Sequence, residues 1–345
     1  MELKLAFIGF GVVGQGLAEI LAGKKKEIAE STGAAFRAVA ISDNVKGSLY
    51  DPKGLDLAKA LAAVASKGTL ESCDAPHKGW DALRTIRESN ADVVLEVTFT
   101  NIQTGEPAMS HFKAALESGK HLATTNKGPT ALALWELQDL ARKKHVQFRY
   151  EGAVMAGTPV LNLAERFLAG NRFARIRGIL NGTTNFILTN METGKTYAQA
   201  LKEAQDLGYA EAVPDADVEG WDALAKVVIL ANAVMGARLK VKDVERTGIT
   251  KITPEDIRKA AAEGKRWKLI GEVRRDGDRI FAKVSPEKVD LLDPLASVGG
   301  ATNAVTFSTD LIRDVTIVGP GAGRVETGFA LLSDLLEIHR NLAKS

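Results

Sequence analysis

Asp222 and Lys226 stand four residues apart at the head of an apolar run, Ala223 to Met235, so on a helix they share one face. A carboxylate beside an amine can hold a small polar substrate and move a proton to or from it. Read alone, the pair is an ordinary helix ion pair, contributing roughly a few tenths of a kcal/mol. Its surroundings argue for more. The stretch G-Y-A-E-A-V-P-D-A-D-V-E-G-W-D-A-L-A-K, Gly208 to Lys226, sets five carboxylates ahead of one lysine, with Pro214 marking a loop. An acidic loop beside an amine suits an amino-acid ligand. Partial burial can lower a lysine's pKa toward the operating pH, where an acid/base group works best.

A second constellation opens the chain. In L-A-F-I-G-F-G-V-V-G-Q-G, Gly9, Gly11 and Gly14 form G-x-G-x-x-G after a strand-like run and at a helix start, with Phe10, Val12 and Val13 between them. Gly9 makes the tight turn, Gly11 lets the backbone approach a pyrophosphate, and Gly14 lets the helix pack on the sheet. The helix N-terminus then faces the phosphate charge. This is a dinucleotide-binding loop. The acidic residue after the second strand is Asp43, in I-S-D-N, further from the glycines than usual because the first helix is long. Asp43 accepts from a ribose hydroxyl and opposes a 2′-phosphate, while Lys46 is the nearest compensating cation. That balance leans toward NAD over NADP.

These residues need elements to hold them. At 345 residues the chain is long for one core, and two domains are expected. Strand-like runs at Leu3–Ile8, Arg37–Ile41, Asp92–Val97, His121–Thr125 and Val146–Tyr150 alternate with helical stretches. Those stretches are Val12 to about Ile28, Asp81–Ser89, Glu106–Glu117 and Thr130–Lys143, and a turn-rich segment runs through Gly54. Apolar strands separated by helices imply an α/β domain, a doubly wound parallel sheet covered on both faces. After residue 150 the rhythm changes. Pro159–Leu168 reads as helix and Ala174–Leu180 as strand, and a helical block runs from Tyr197 through Met235, broken by the acidic loop. Strands follow at Leu269–Arg274, Ile280–Ser285, Ala304–Ser308 and Asp314–Val318, an α+β arrangement. A Gly-rich loop from Gly319 enters a last helix, Val325 to about Leu342. The expected division is 1–150, completed by the tail 319–345, as the dinucleotide domain, and 151–318 as the substrate and dimerisation domain.

Composition excludes several classes. A net charge of +2 gives no electrostatic case for nucleic acid or a membrane surface, and Lys24-Lys25-Lys26 reads as the solvated end of the first helix. One cysteine, Cys73, excludes an internal disulfide framework, and the five histidines show no metal-ligand spacing. No signal peptide or membrane span is evident, so a cytoplasmic protein is expected.

Beyond the glycine loop, the chain resembles the homoserine dehydrogenase family through several motifs in order. They are L-E-V-T-F-T-N (Leu95–Asn101), A-T-T-N-K-G-P (Ala123–Pro129), Y-E-G-A-V-M-A-G-T-P (Tyr150–Pro159) and G-I-L-N-G-T-T-N-F-I-L-T-N-M (Gly178–Met191). The block Ala204–Lys226 and G-P-G-A-G-R-V-E-T (Gly319–Thr327) complete the set. The resemblance implies interconversion of homoserine and aspartate β-semialdehyde with NAD(P), in threonine and methionine biosynthesis. It also implies a Rossmann-like domain beside a catalytic α+β domain that forms a homodimer. Longer members add a C-terminal regulatory domain, which a chain stopping at Ser345 is expected to lack.

By the same resemblance Lys226 is the general acid/base and Asp222 orients it. Glu211 pairs with the substrate ammonium, Asp217 supports that pocket, and Thr183 lies near the substrate or in a turn before a helix. Lys127 is a second lysine near nicotinamide and substrate, placed at a strand's carboxyl end. Thr98, ending the preceding strand, is expected to touch the cofactor in the same way, and Gly321 and Gly323 either close backbone N–H groups over the dinucleotide or simply make a turn. Glu151, Val154, Ala156 and Thr158 match a monovalent cation site, such as one for sodium, mostly through backbone carbonyls. One position departs: the family usually has Asp or Asn before the loop proline, and here stands Val213. That departure keeps open a paralogous dehydrogenase of another small amino-alcohol. A dinucleotide-binding sensor without catalysis is the reading from another class, opposed by the retention of Asp222, Lys226 and Lys127.

Overall fold

The apolar run at the N-terminus forms β1 (Glu2–Ile8), buried from Leu5 onward because it is flanked on both sides by parallel partners. The computed structural model describes residues 1–344, which divide into two units, Met1–Gly157 with 323–344 and Thr158–Ala322.

In the first unit β1 leads to α1 (Val12–Gly23), α2 (Lys25–Thr32), β2 (Ala35–Asp43), β3 (Gly47–Tyr50), α3 (Leu57–Lys67) and β4 (His77–Lys78). Then come α4 (Ala82–Glu88), β5 (Val93–Glu96), α5 (Ala108–Glu117), β6 (His121–Thr124), α6 (Lys127–Lys143) and β7 (Phe148–Arg149). The sheet order is β4-β3-β2-β1-β5-β6-β7. Strands β2-β1-β5-β6-β7 are parallel, the doubly wound core of a Rossmann-like fold. The sheet is not purely parallel, however. Part of the segment read as turn-rich is β3, which pairs antiparallel with β2 and β4. Asp43 makes this hairpin: its Oδ1 accepts from the Val45 and Lys46 N–H groups at 2.9 Å, and Gly47 takes a positive φ of 93°.

The first helix is also shorter than its sequence pattern suggests. The chain breaks at Lys24, and the triple-lysine run spans the junction and opens α2 instead of closing one long helix. Lys24 pairs with Glu27 at 2.9 Å, but both side chains are largely exposed, so the pair adds little. Leu17 and Leu21 of α1, Val64 of α3 and Leu331, Leu335 and Ile338 of the tail helix share one core with Leu5, Phe7, Ile41 and Leu95. Each such side chain, fully buried, contributes about 1.5–3 kcal/mol.

The second unit begins with a short helix α7 (Val160–Asn162) that widens into a looser turn, Leu163–Phe167. It continues with β8 (Phe173–Ile179), α8 (Gly182–Met191), α9 (Tyr197–Asp206), α10 (Asp215–Val218), α11 (Trp221–Met235), β9 (Glu245–Arg246) and α12 (Pro254–Ala262). Long strands β10 (Lys265–Asp276), β11 (Arg279–Asp290), β12 (Thr302–Thr309) and β13 (Arg313–Pro320) complete it. The order is β13-β12-β8-β10-β11-β9, antiparallel except for β9 beside β11. Alternation assigns the two faces. Ile176, Val273, Val284, Val305 and Phe307 point into the core, whereas Arg175, Arg177, Glu272, Lys283 and Thr306 form a polar face laced with ion pairs. The chain then returns to the first unit as α13 (Arg324–Leu342).

Candidate functional site

α11 is buried along nearly its whole length, from Ala223 to Asn232, so a lysine within it needs partners. Lys226 is 6% exposed. Its Nζ donates to the Leu180 carbonyl at 2.6 Å and to Asp222 Oδ2 at 2.8 Å. Gly271 on β10 makes this approach possible, because a Cβ there would lie 2.6 Å from Val227 and 2.7 Å from Leu180. The helix therefore sits directly on the sheet, bringing Nζ to the end of β8.

The residue that assembles the cluster is Asn181, quoted in a motif but not singled out from sequence. Its Oδ1 caps α8 by accepting from the Thr184 N–H at 2.8 Å. Its Nδ2 donates to Asp217 Oδ1 at 2.7 Å and to Asp222 Oδ2 at 3.0 Å. One amide thus fixes a helix start and holds two carboxylates side by side, with Lys226 against the second. Thr183, the next residue but one, donates its hydroxyl to the Tyr209 carbonyl at 2.6 Å, tying α8 to the acidic loop. The Phe186 and Tyr209 rings add a tilted contact at 5.0 Å. The negative field of the loop reaches Tyr197, whose phenol is pushed up to about 12 by burial first, then by Glu219 and Asp215.

Glu211 is not drawn into this cluster. Its side chain is exposed, and among the described residues its bond is through the backbone, whose carbonyl accepts from Gln205 Nε2 at 3.1 Å. Val213 is likewise out in solvent, 72% exposed.

In the first unit each glycine of the loop has a distinct constraint. Gly9 has φ 94°, and a Cβ on Gly14 would meet the Gly9 carbonyl oxygen at 2.7 Å. A Cβ on Gly11 would meet nothing within 4 Å, so that position faces open space at the head of α1. No side chain caps α1 there, and its first N–H groups remain for an anion. Val12 is exposed and Val13 half-buried, whereas the Phe10 ring is buried edge-on to Phe7. The Phe10 N–H is committed to Asp43 Oδ2 at 2.7 Å. Asp43 is thus a latch between the glycine loop and the β2–β3 hairpin. Burial pushes its carboxyl up, but the Phe10, Lys46 and Val45 N–H groups and the Lys46 ammonium outweigh this and hold it below the usual range.

A further glycine pair supports the loop. A Cβ on Gly16 would collide with the Arg324 carbonyl oxygen at 1.9 Å, and one on Gly328 would lie 2.6 Å from Gly16. α13 therefore docks on α1 at backbone contact, fastened by Arg324 to Gln15 at 3.1 Å and Glu19 at 2.5 Å. Gly323, with φ 136°, turns the chain into α13. Gly321 belongs to the second unit, where its Cα lies flat against the buried amide of Asn303. Thr98 follows β5, and Lys127 opens α6, half-buried, behind the Asn126 cap.

Of the residues matched to a cation site, Glu151 is 3% exposed and its N–H donates to Asp334 at 3.1 Å. Val154 is buried, and Met155 and Ala156 both have left-handed φ, 59° and 47°. Such non-glycine residues cost about 1–3 kcal/mol each, a strain characteristic of functional segments. Thr158, in the second unit, donates its hydroxyl to the Pro320 carbonyl at 3.0 Å. Among the described residues no group of three His, Cys, Asp or Glu could hold a metal, and no helix is long and apolar enough to cross a membrane.

Two family models match in sequence order. Residues 9–151 match the homoserine dehydrogenase NAD binding domain, and 159–336 match homoserine dehydrogenase. The NAD(+)-dependent homoserine dehydrogenase of Pseudomonas canavaninivorans is 48% identical, over 99% of this chain and 98% of that relative. The homoserine dehydrogenase of Methanocaldococcus jannaschii is 43% identical over 99% and 100%. A Thiobacillus denitrificans homoserine dehydrogenase superposes with a TM-score of 0.87 at 32% identity, covering all of this chain and 75% of that one. A hyperthermophilic archaeal homoserine dehydrogenase mutant in complex with NADPH gives 0.84 at 30%, covering 99% and 98%. The motifs that suggested this kinship are those that build the dinucleotide loop and the Asn181–Asp222–Lys226 cluster, and the chain belongs to the homoserine dehydrogenase family.

Proposed function

We propose that Lys226 is the proton-transfer residue in the NAD(P)-dependent interconversion of L-homoserine and L-aspartate β-semialdehyde, with Asp222 holding it. The observation that carries this is the buried amine, 2.6 Å from Leu180 O and 2.8 Å from Asp222. An ammonium has three hydrogens, and these two partners leave one direction for a substrate oxygen. A bound nicotinamide would supply the hydride acceptor for the hydroxyl carbon, and the hydride donor in the biosynthetic direction. In the biosynthetic direction the Lys226 ammonium donates its third hydrogen to the carbonyl oxygen and is left a neutral amine; in oxidation the neutral amine accepts the hydroxyl proton and becomes the ammonium. Asp217 supplies the negative field for the substrate ammonium, Glu211 is its partner on the family resemblance, Asn181 keeps Asp217 and Asp222 in place, and Thr183 holds the Tyr209 segment of the loop. Lys127, at the carboxyl end of β6, is the second cation near the reacting oxygen.

The open Gly11 position and uncapped α1 fit a pyrophosphate, while Gly321 and Gly323 shape the loop before α13. Asp43 favours NAD, although three of its acceptor sites are already filled by backbone N–H groups. By the family resemblance alone, Glu151, Val154, Ala156 and Thr158 would supply oxygens to a monovalent cation such as sodium. The polar sheet face of the second unit, which carries Arg175, Arg177, Glu272 and Lys283, suits a second copy of this chain, giving a homodimer in the cytoplasm.

One assay tests the reading: nicotinamide absorbance is followed with homoserine, then with serine and threonine. Turnover with homoserine and a large preference over the others is expected. Equal or greater turnover with another short amino-alcohol would transfer the assignment to the paralogue, and no turnover with any would leave the sensor.

A further inference from the structure

Thr98 leaves the sheet where the strand order reverses. β1 leads to β2 on one side and β5 to β6 on the other, so a dinucleotide crevice opens at the carboxyl ends of β1 and β5. The glycine loop meets the Thr98 segment there: a Cβ on Gly9 would lie 2.7 Å from the Val97 carbonyl oxygen and 3.0 Å from the Thr98 nitrogen. With the pyrophosphate at Gly11 and the adenosine ribose on the β2 side, the nicotinamide half falls on the β5 side.

Beneath Thr98 lies a carboxylate that the Lys226 chemistry does not use. Glu96 is 0% exposed, with His111 and Asn126 buried around it. Its Oε1 accepts the Thr98 hydroxyl and faces His111 Nδ1 at 3.1 Å, and its Oε2 accepts from Asn126 Nδ2 at 3.4 Å. Thr98 and Asn126 donate to Glu96, and with Glu96 as the carboxylate, which only accepts, His111 meets it through Nδ1–H. Apolar side chains of similar volume would serve stability as well or better. A polar cluster at this strand end therefore asks for another role.

We propose that Glu96, backed by His111, is a positioning residue that locks the Thr98 hydroxyl as a hydrogen-bond acceptor, and that the group Thr98 reads is the carboxamide N–H2 of nicotinamide. Because the Thr98 hydrogen is committed to Glu96, the crevice is shown only lone pairs. Asn126 is committed as well. Its Nδ2 also reaches the Thr98 and Phe99 carbonyls at 3.3 and 3.1 Å, and its Oδ1 accepts from the Gly128 N–H at 3.1 Å. The backbone carrying Thr98 is thus fixed with its side chain. An acceptor there matches an amide N–H and disfavours a carbonyl oxygen. The inference rests on the reading of the first unit as an NAD(P) domain.

Calorimetric Kd values for NAD+ and for 3-acetylpyridine adenine dinucleotide, in which a methyl replaces the amide nitrogen, test it. The wild-type protein is expected to prefer NAD+ about tenfold, the worth of one net hydrogen bond. Glu96→Gln should set its N–H2 toward Thr98 and His111, because His111 can change tautomer to accept whereas Asn126 Nδ2 only donates, and the preference should fall to about twofold or less. Thr98→Val should abolish it and Thr98→Ser should keep it. A folded Glu96→Gln protein with the full preference, or one in which both dinucleotides weaken equally, overturns the proposal. If Glu96→Gln does not fold, Thr98→Val decides: lost preference supports the proposal and retained preference overturns it. A wild-type protein that binds both dinucleotides alike overturns this inference only, whereas one that binds neither overturns the cofactor reading as well.

Discussion

Asn181→Asp separates the two tasks of one side chain. Aspartate caps a helix about as well as asparagine, so α8 should keep its start at the Thr184 N–H. The Nδ2 hydrogens, however, are replaced by an acceptor 2.7 Å from Asp217 and 3.0 Å from Asp222. Two hydrogen bonds to charged groups are lost, about 1.5–3 kcal/mol each. The new carboxylate also meets like charges at close range, a repulsion of roughly 5 kcal/mol per contact at an effective dielectric of about 20. The cluster answers by shifting Asp222 from Lys226 or by trapping a proton. If about 3–6 kcal/mol of the loss appears in the transition state, kcat/KM for homoserine falls by ~10²–10⁴. Part of the loss should be recovered as the pH is lowered, when a bound proton replaces the missing amide hydrogen. Initial rates across pH, with Tm measured alongside, provide the assay. A variant with wild-type kcat/KM and pH profile would show that Asn181 is only a cap.

Gly11→Val should leave Tm nearly unchanged, since nothing lies within 4 Å of the added Cβ, while raising Kd for NAD(P) at least about tenfold. Unchanged binding by calorimetry would remove the pyrophosphate from that position. Gly14→Val, by contrast, should lower Tm sharply, because its Cβ would lie 2.7 Å from Gly9 O. Lys268, 1% exposed and bonded to Asn185 and the Val298 carbonyl, has its ammonium lowered to about 8 by burial, opposed by Glu192. Between pH 8 and the ordinary value of 10.5 the unfolded chain holds a proton that the folded one lacks, so this group makes stability rise with pH across that window. Lys268→Met should flatten the rise in denaturant titrations at pH 8 and 10; an unchanged slope would contradict it.

The parts of this protein visible in the sequence are those whose determinants lie close together in the chain. G-x-G-x-x-G and the Asp222–Lys226 spacing each span a turn or two of helix, and both occur as read. β5 and β6 were also legible as apolar runs, because parallel neighbours bury β5 completely and β6 from Leu122 onward. α3 was passed over although Asp56 caps it and Gly68 ends it, since a run of alanines carries little periodic contrast. β3 was hidden by its turn residues. α8 was hidden because three of its six buried residues are the polar Thr183, Thr184 and Asn185 at its start, so its pattern is not two-faced. What escaped notice depends on distant partners: Asn181, which bonds to Asp222 41 positions away, and the bond of Asp43 to Phe10 across 33. Gly16 needs to be glycine because of Arg324, a requirement set at the other end of the chain. Glu211, by contrast, stood out through the density of acidic neighbours, yet the fold draws in Asp217 and leaves Glu211 in solvent.

The most direct test of Lys226 as the proton-transfer group is Lys226→Met, which keeps the apolar stem and removes the amine from between Leu180 and Asp222. Turnover of homoserine should fall by ~10²–10⁴ while calorimetric Kd for NAD(P) stays at the wild-type value. Near-wild-type kcat in a protein that still binds the dinucleotide would contradict the assignment.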